Sequence, residues 1–509
     1  VLAAAMMLLT ACERDATPAD GDRRSAGAVA TTTPVLRVGL EADLQGFDPL
    51  RTRLMGVSTL TVADTVFDTL VTVRDDGRIL PRLALSLTPS DDLTEWRAML
   101  RDDVVFHDGS PFDAAAVAGH FNRLLDPENR CSCRAFLGPM QRVSAVSAHE
   151  VVFELSAPWA ALPAVLGEPS LVSLIGSPTA RTDADTFNRL PIGTGPYRFV
   201  EWRPGESIAV ARFDQYWDSA APASFDAVTF RVLPDQQARF AALRAGDVDV
   251  LWTLDGATAV RAEQMGMMVT RHQGAGARIL VLNTRKPPLD DVRVRRALAH
   301  AVDGAAYMDA VSDGAVAPAT DPFGPGSTFT CESTWPRHDP AMARQLLQQY
   351  GQPVSLRFGH TATPRGQATG QIFQQFWQSV GIDVELVPME QVQLVGSVVR
   401  RQYQVGPWRL RDSVDPDADL FGLFHSASPL NVTGLSAPAL DELLLAARSV
   451  VDVNARRETY CALEQYLSQN VPYLFLGQNT YFAIASGAIG GSLSLRGGLL
   501  GLRAARPAG

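Results

Sequence analysis

Lysine is almost missing from this 509-residue chain: Lys286 stands alone among 45 lysines and arginines. A GC-rich genome accounts for that bias, so it carries no claim about stability. Positive charge is in deficit as well. With 45 basic against 55 acidic residues the formal net charge is −10, which argues against general binding to a phosphate backbone, because that needs a basic surface. No nucleic-acid partner is expected. Apolar runs never reach the roughly 20 residues that a membrane-spanning helix requires. Gly-x-Ser-x-Gly, His-Glu-x-x-His and Walker patterns are all absent, so hydrolase and nucleotide chemistry find no seat. The eight histidines are scattered without metal-ligand spacing. The chain reads as a non-enzyme with no cofactor and no metal.

What is present begins at the N-terminus. Residues 1–11 (VLAAAMMLLTA) are apolar and precede Cys12. They fit the apolar part of a secretory signal, and Leu9-Thr10-Ala11-Cys12 looks like a bacterial lipobox whose cysteine is lipidated. Residues 13–34 lack periodicity and cannot bury enough apolar surface to offset their ordering entropy. They read as a tether to the outer face of a membrane. Lipidation at Cys12 leaves Cys131, Cys133, Cys331 and Cys461. In an exported protein these can form disulfides, but four cysteines allow three pairings. Cys131-Ser132-Cys133 is a weak metal signal, and Cys461 is equally readable as a small buried hydrophobe.

At this length more than one core is expected. Residues 36–40 alternate as a strand, and 60–70 read as helical. Strands are expected at 96–100, 104–106 and 151–155, with Asp113 capping a helix that carries Val117, Phe121 and Leu124 on one stripe. Further on, Asp235 caps a helix stopped by Gly246, before a strand at 248–252. Asp339 and Pro340 open another helix ending at Gly351. A strand at 354–358, a helix at 367–380, the stop Gly381 and a strand at 382–387 complete a strand–helix–strand unit. Such alternation predicts α/β layers with mainly parallel pairing.

Short signatures recur in order. They include Thr65-Val66-Phe67-Asp68-Thr69-Leu70, Val104-Val105-Phe106-His107-Asp108-Gly109, Gly193-Thr194-Gly195-Pro196-Tyr197-Arg198-Phe199 and Asp214-Gln215-Tyr216-Trp217. Leu243-Arg244-Ala245-Gly246-Asp247-Val248-Asp249, Asp290-Asp291-Val292-Arg293-Val294-Arg295-Arg296-Ala297-Leu298, Leu282-Asn283-Thr284 and Asp415-Pro416-Asp417 extend the set. Over residues 35–500 the chain resembles the extracellular solute-binding proteins of family 5, which bind oligopeptides, dipeptides or nickel for ABC importers. The resemblance implies an α/β fold of the type II periplasmic-binding-protein class, two lobes with a hinge plus an inserted α+β subdomain. Expected boundaries are 1–12 signal and lipobox, 13–34 tether, 35–78 and 192–283 first lobe, 79–191 insert, 284–477 second lobe and 478–503 first-lobe return. It also implies a monomeric, lipid-anchored, extracytoplasmic protein that takes a peptide or similar small solute and meets ABC permease subunits. A solute sensor of the same fold, or a secreted lipid-tethered hydrolase, is the alternative.

In peptide-binding members an aspartate shortly before an Asp-Pro pair meets the peptide ammonium, and Asp412 falls there. A desolvated ammonium must be paired, and a carboxylate does this through charge-assisted hydrogen bonds. The competing reading makes Asp412 a loop carboxylate paired with Arg409 or Arg411. Trp408 is a candidate pocket wall or a core aromatic. Where dipeptide-binding members carry a carboxylate-binding arginine, between a strand end and the next helix, His360 occupies that spot here, and Arg365 is placed to reach in from the helix start. Glu41 and Phe47 are candidates for the opposite lip. Tyr216 and Trp217 read as core anchors, Asp415 and Asp417 as turn and helix-cap residues, and Arg293, Arg295 and Arg296 as a solvated helix face.

Overall fold

The computed structural model describes residues 34–508 except 53–55, 75–77, 171 and 326. The expected lipobox with Cys12, and the tether up to residue 33, lie outside the described residues.

A ten-stranded sheet runs through the protein in the order Asp383–Met389, Ser355–Thr361, Val405–Arg409, Met268–Leu282, Tyr473–Ala485, Val250–Thr253, Val35–Leu40, Ala227–Val232, Ser207–Arg212 and Tyr197–Arg203. Pairing is mixed, not mainly parallel as expected. Parallel pairs form around Val35–Leu40 on one side and Ser355–Thr361 on the other. Between these groups Met268–Leu282 and Tyr473–Ala485 run antiparallel along nearly their whole length. Caps and periodicity reveal faces and ends; they do not reveal the direction of two strands brought together across some 200 residues.

The caps themselves behave as read. Asp113, Asp235 and Asp339 accept from the first-turn N–H groups of Ala114–Leu125, Gln236–Ala245 and Pro340–Tyr350. Gly246 and Gly351 close the last two in left-handed conformation, φ 77° in both. The helix expected at 60–70 is Val57–Val66, and Phe67 is already extended. Residues 104–106 make only a single bridge, Val105 to Pro111. The strands expected at 354–358 and 382–387 are Ser355–Thr361 and Asp383–Met389.

Separate apolar cores sit on this frame. Leu36, Val38, Phe47, Phe67, Phe230, Trp252 and Tyr481 belong to one. On the two faces of the other half of the sheet, Leu280, Leu282, Phe358 and Trp377 belong to a second core and Ile279, Val281, Tyr460 and Tyr473 to a third. A four-stranded antiparallel sheet, Ala84–Pro89, Glu95–Leu100, Glu150–Leu155 and Met140–Ser147 in that order, carries helix Ala114–Leu125 and has its own core around Trp96, Phe106, Phe121 and Phe153. Arg123 ties that helix to Asp48 through bonds of 3.0 and 2.6 Å. Cys131 pairs with Cys133 and Cys331 with Cys461, so Cys461 is a cross-link to a loop 130 residues away.

Two motif readings change in detail, and a third holds. Arg295 is buried, not part of a solvated face; it donates to the carbonyls of Asn470, Leu289 and Asp290 at 2.8 to 3.1 Å. Asp415 and Asp417 are ion-paired with Arg456 and Arg448, and Asp417 is the first residue of the helix Asp417–Phe424, whose N-cap is Pro416. Tyr216 and Trp217 do anchor the interior, through Asp68, to which Trp217 Nε1 donates at 2.9 Å.

Candidate interlobe ligand site

The long strand Met268–Leu282 loses register with its partner between Gln273 and Ala277. Residues Gly274-Ala275-Gly276 fill the gap, and their glycines are required there. A Cβ on Gly274 would sit 2.0 Å from Asp412 Oδ1, and one on Gly276 would sit 2.3 Å from the carbonyl oxygens of Leu410 and Arg411. The chain leaving strand Val405–Arg409 therefore lies directly on this break. Gln478, on the other long strand, donates to the carbonyls of Gly274 and Gly276 at 3.0 and 2.7 Å.

Beside the break lies a cavity of about 690 Å³. One wall is the run Arg409, Arg411, Asp412, Ser413, Val414 and Asp415. Facing it are Leu60, Thr69, Phe136, Ala161, Val165 and Glu168, and the C-terminal segment adds Ser494, Leu499 and Arg503. Polar bonds join the walls. Glu168 Oε1 accepts from Val414 N at 2.7 Å and from Ser413 Oγ at 3.1 Å. Trp159 Nε1 donates to Asp417 Oδ2 at 2.8 Å, and Ala160 N to the carbonyl of Arg448 at 2.8 Å. The Arg411 guanidinium lies 4.9 Å from the Phe136 ring centroid.

Two carboxyl groups here are perturbed. Burial pushes Asp412 up to about 6, against the downward pull of the Gly276 N–H, Asn479 and the Arg409 charge. Its Oδ1 accepts from Gly276 N at 2.9 Å and Asn479 Nδ2 at 3.0 Å. Burial pushes Glu168 further, to about 7, because the Val414 N–H, Ser413 and Arg411 offset it only partly. Arg411 does not pair with Asp412; its partner is Asp419.

Of the residues singled out from sequence, Asp412, Arg409 and Arg411 are brought together on the cavity wall. Trp408 faces away, since neighbouring strand residues point to opposite faces; it packs on the core of Ile279 and Val281. Phe47 is a core residue 5.9 Å from Phe199 and 6.4 Å from Phe67. His360 is buried between its strand and helix Pro364–Gln378, with Nδ1 2.9 Å from the Thr361 carbonyl and Gly370 against its ring. Glu41 and Arg365 are not among the lining residues, although the Glu41 carboxyl, raised by burial, feels Arg239 and Arg409. Sequence reasoning missed Glu168, which sits in Gly167-Glu168-Pro169 at a helix end and carries no periodic signal.

Among the described residues no helix is long and apolar enough to cross a membrane. The chain is 28% identical over 433 residues to the glutathione-binding protein GsiB of Pectobacterium atrosepticum, covering 82% of this chain and 83% of that protein. It is 29% identical to the nickel-binding periplasmic protein of Escherichia coli, over 67% of this chain and 69% of that one. In fold it is similar to the dipeptide-binding protein of Pseudoalteromonas sp. SM9913 in complex with Met-Leu (TM-score 0.81, 22% identity, 93% of this chain and 100% of that one). NikA of Brucella suis in complex with Fe(III)-EDTA is comparably close, with TM-score 0.82, 24% identity and the same coverage. A profile described as bacterial extracellular solute-binding proteins, family 5 middle, matches residues 78–431, more than half of the chain, so this protein belongs to that family.

Proposed function

We propose that this protein is the solute-capturing component of an ABC importer, and that it holds a peptide or similar small solute in the cavity between residues 409–415 and residues 136–168. The observation that carries the reading is the cavity itself. At about 690 Å³ it falls within the ~300–1,000 Å³ of small-molecule sites, and Gln273 and Ala275 at the break in the long strands line it. Residues 35–78, 192–283 and 478–503 form the first lobe of this reading, 79–191 the insert and 284–477 the second lobe. Closure selects the ligand: contacts to both lobes exist only when they meet, and those differential contacts shift the population. Moving a two-state equilibrium from mostly open to mostly closed takes about 5.5 kcal/mol of such preference. Asp412 receives a ligand amine, and Cys12 carries the lipid that keeps the protein, as a monomer, near its permease.

Native mass spectrometry of the exported protein identifies the co-purified guest, and small-angle scattering compares the chain with and without it. The expected result is a guest recovered chemically unchanged and a smaller radius of gyration when it is bound. Superimposable scattering curves with an altered guest would replace capture with catalysis. Membrane fractionation with and without Cys12→Ser tests the anchor; retention of the variant on membranes would refute it.

A further inference from the structure

The two disulfides sit in unlike settings. Cys131 and Cys133 are two positions apart and buried, and a bond between such close neighbours constrains the chain little. Cys331 and Cys461 are 130 positions apart and both partly exposed. Their bond closes a long loop and is open to attack by a thiolate.

Each end of this second bond carries a carboxylate. Asp321 Oδ1 accepts from Phe323 N at 2.8 Å, and Oδ2 from Cys331 N at 3.4 Å. Glu464 lies three residues beyond Cys461 on helix Val453–Asn470, hence on the same face, and accepts from Thr334 N and Oγ1 at 3.4 and 3.3 Å. Asp48, Asp68, Asp415 and Asp417 each meet an arginine in the interior. Among the described residues no arginine or lysine lies within ion-pair distance of Asp321 or Glu464. Burial pushes Asp321 up to about 6, and burial together with the Asp321 charge raises Glu464. The Tyr473 hydroxyl, buried and within the field of both, makes no hydrogen bond to either. Like charges in a desolvated place repel strongly, so the covalent bond holds together two segments whose charges push apart.

The segment that starts at Asp321 reaches the cavity. Gly324 N donates to the Ala275 carbonyl at 2.6 Å, and a Cβ on Gly324 would lie 1.9 Å from the Gly274 oxygen, so its backbone seats directly on the break in the long strand. Pro325 and Ser327 line the cavity itself. Phe323 and Phe329 pack edge-on against Tyr460, at 5.8 and 5.0 Å, on the helix that carries Cys461.

We propose that the Cys331–Cys461 bond is a thiol-responsive clasp, which keeps residues 321–325 seated against the cavity wall and releases them when it is reduced. An extracytoplasmic dithiol supplies the two electrons. Its thiolate attacks one sulfur, its second thiol resolves the mixed disulfide, and it leaves as a disulfide while Cys331 and Cys461 take up its two protons. Without the bond the two carboxylates part and Gly324 leaves Ala275, which weakens the hold on a guest. That last step rests on the capture reading; the release itself does not.

The full chain is titrated with dithiothreitol at pH 8, alkylated and mapped by mass spectrometry, with the backbone followed by hydrogen exchange. Cys331 and Cys461 should be alkylated at a dithiothreitol concentration at least tenfold below that needed for Cys131 and Cys133. Exchange at Phe323 and Gly324 should then quicken at least tenfold while helix Ala114–Leu125 keeps its protection, and reoxidation should reverse the change. The double variant Cys331→Ser, Cys461→Ser should exchange like the reduced chain. Adding Glu464→Gln, which removes the repulsion without touching the Asp321 bonds, should recover at least half of the lost protection; a disulfide with a merely structural role would gain nothing from it. Retention of a library of unmodified tripeptides, read by native mass spectrometry, should fall at least threefold on reduction. A parent chain that retains no tripeptide removes the peptide-capture reading, and exchange alone then decides the clasp. Earlier reduction of the buried pair, unchanged exchange at Gly324, loosening that spreads to helix Ala114–Leu125, no recovery with Glu464→Gln, or tripeptide retention that ignores reduction overturns it.

Discussion

Asp68 and Asp412 are both desolvated aspartates, and their surroundings drive them in opposite directions. Burial pushes Asp68 up, but Arg82, Arg503 and the Trp217 N–H more than offset it and hold its carboxyl below the usual range. Arg82 Nε lies 3.0 Å from it and an Arg503 nitrogen 3.1 Å. At Asp412 burial prevails: two hydrogen bonds and the distant Arg409 leave it raised to about 6. The first environment is complete without a guest. The second places an incompletely compensated carboxyl on a cavity wall, beside Arg409 and Arg411. Compensation is complete at Asp68 and only partial at Asp412, which lines the proposed ligand cavity.

Breaking the complete environment should cost most. Asp68→Ala removes the carboxylate shared by Arg82 and Arg503, whose side chains are only 19% and 24% exposed, and leaves Arg503 with Asp64 alone as its ion-pair partner. Removal of one partner from a buried pair typically costs about 3–5 kcal/mol, so chemical denaturation should show a loss of that order. A loss under about 1 kcal/mol, the range of surface pairs, would place the cluster with the solvated ones and dissolve the contrast. Asp412→Asn is the sharper half of the comparison. It keeps an acceptor on the Gly276 N–H and removes only the charge, so the melting temperature should hold or rise slightly. Affinity for an amine-bearing guest should fall more than tenfold, or about 1.4 kcal/mol. Unchanged affinity would take Asp412 out of the site.

How far the sequence reached follows the same division. Caps such as Asp113, Asp235 and Asp339 are local, so they were legible, as was the order of short signatures that carries the family. The wall segment 409–412 was found because it precedes Asp415-Pro416-Asp417. What escaped was set by pairing across distance. The alternation that hides Trp408 in a core also turns Arg409 toward Arg278, and that depends on the register of two strands separated by more than 100 residues. His360 sits where a carboxylate-binding arginine was expected, yet its ring fills the space beside Gly370. Nothing in one chain's spacing announces which side of a strand meets the cavity. Glu168 was illegible for a related reason, since its partners Ser413 and Val414 are some 245 residues away.

Glu168 also gives the smallest and most diagnostic effect. Its carboxyl is raised by burial from an ordinary 4.5 to about 7 in the folded, wall-to-wall contact. The folded protein therefore keeps this proton through a window in which the unfolded chain, or a form with the walls apart, has already released it. Any stability linked to that retained proton is fully present below about 4.5 and is lost as pH rises through about 7. Asp68 has the reverse sign: its contribution is present at neutral pH and is lost as pH falls through its depressed value, below 3.8. Between pH 5 and pH 8 the Asp68 cluster is thus constant, and Glu168 supplies a slope of its own. Glu168→Gln keeps an acceptor for the Val414 N–H and cannot ionise, so it should flatten the decline in melting temperature across that interval while leaving the value at pH 5 nearly unchanged. A variant that declines as steeply as the parent would show that the Glu168 contact does not carry the proton linkage, and the opposition between frame and cavity wall would then rest on Asp412 alone.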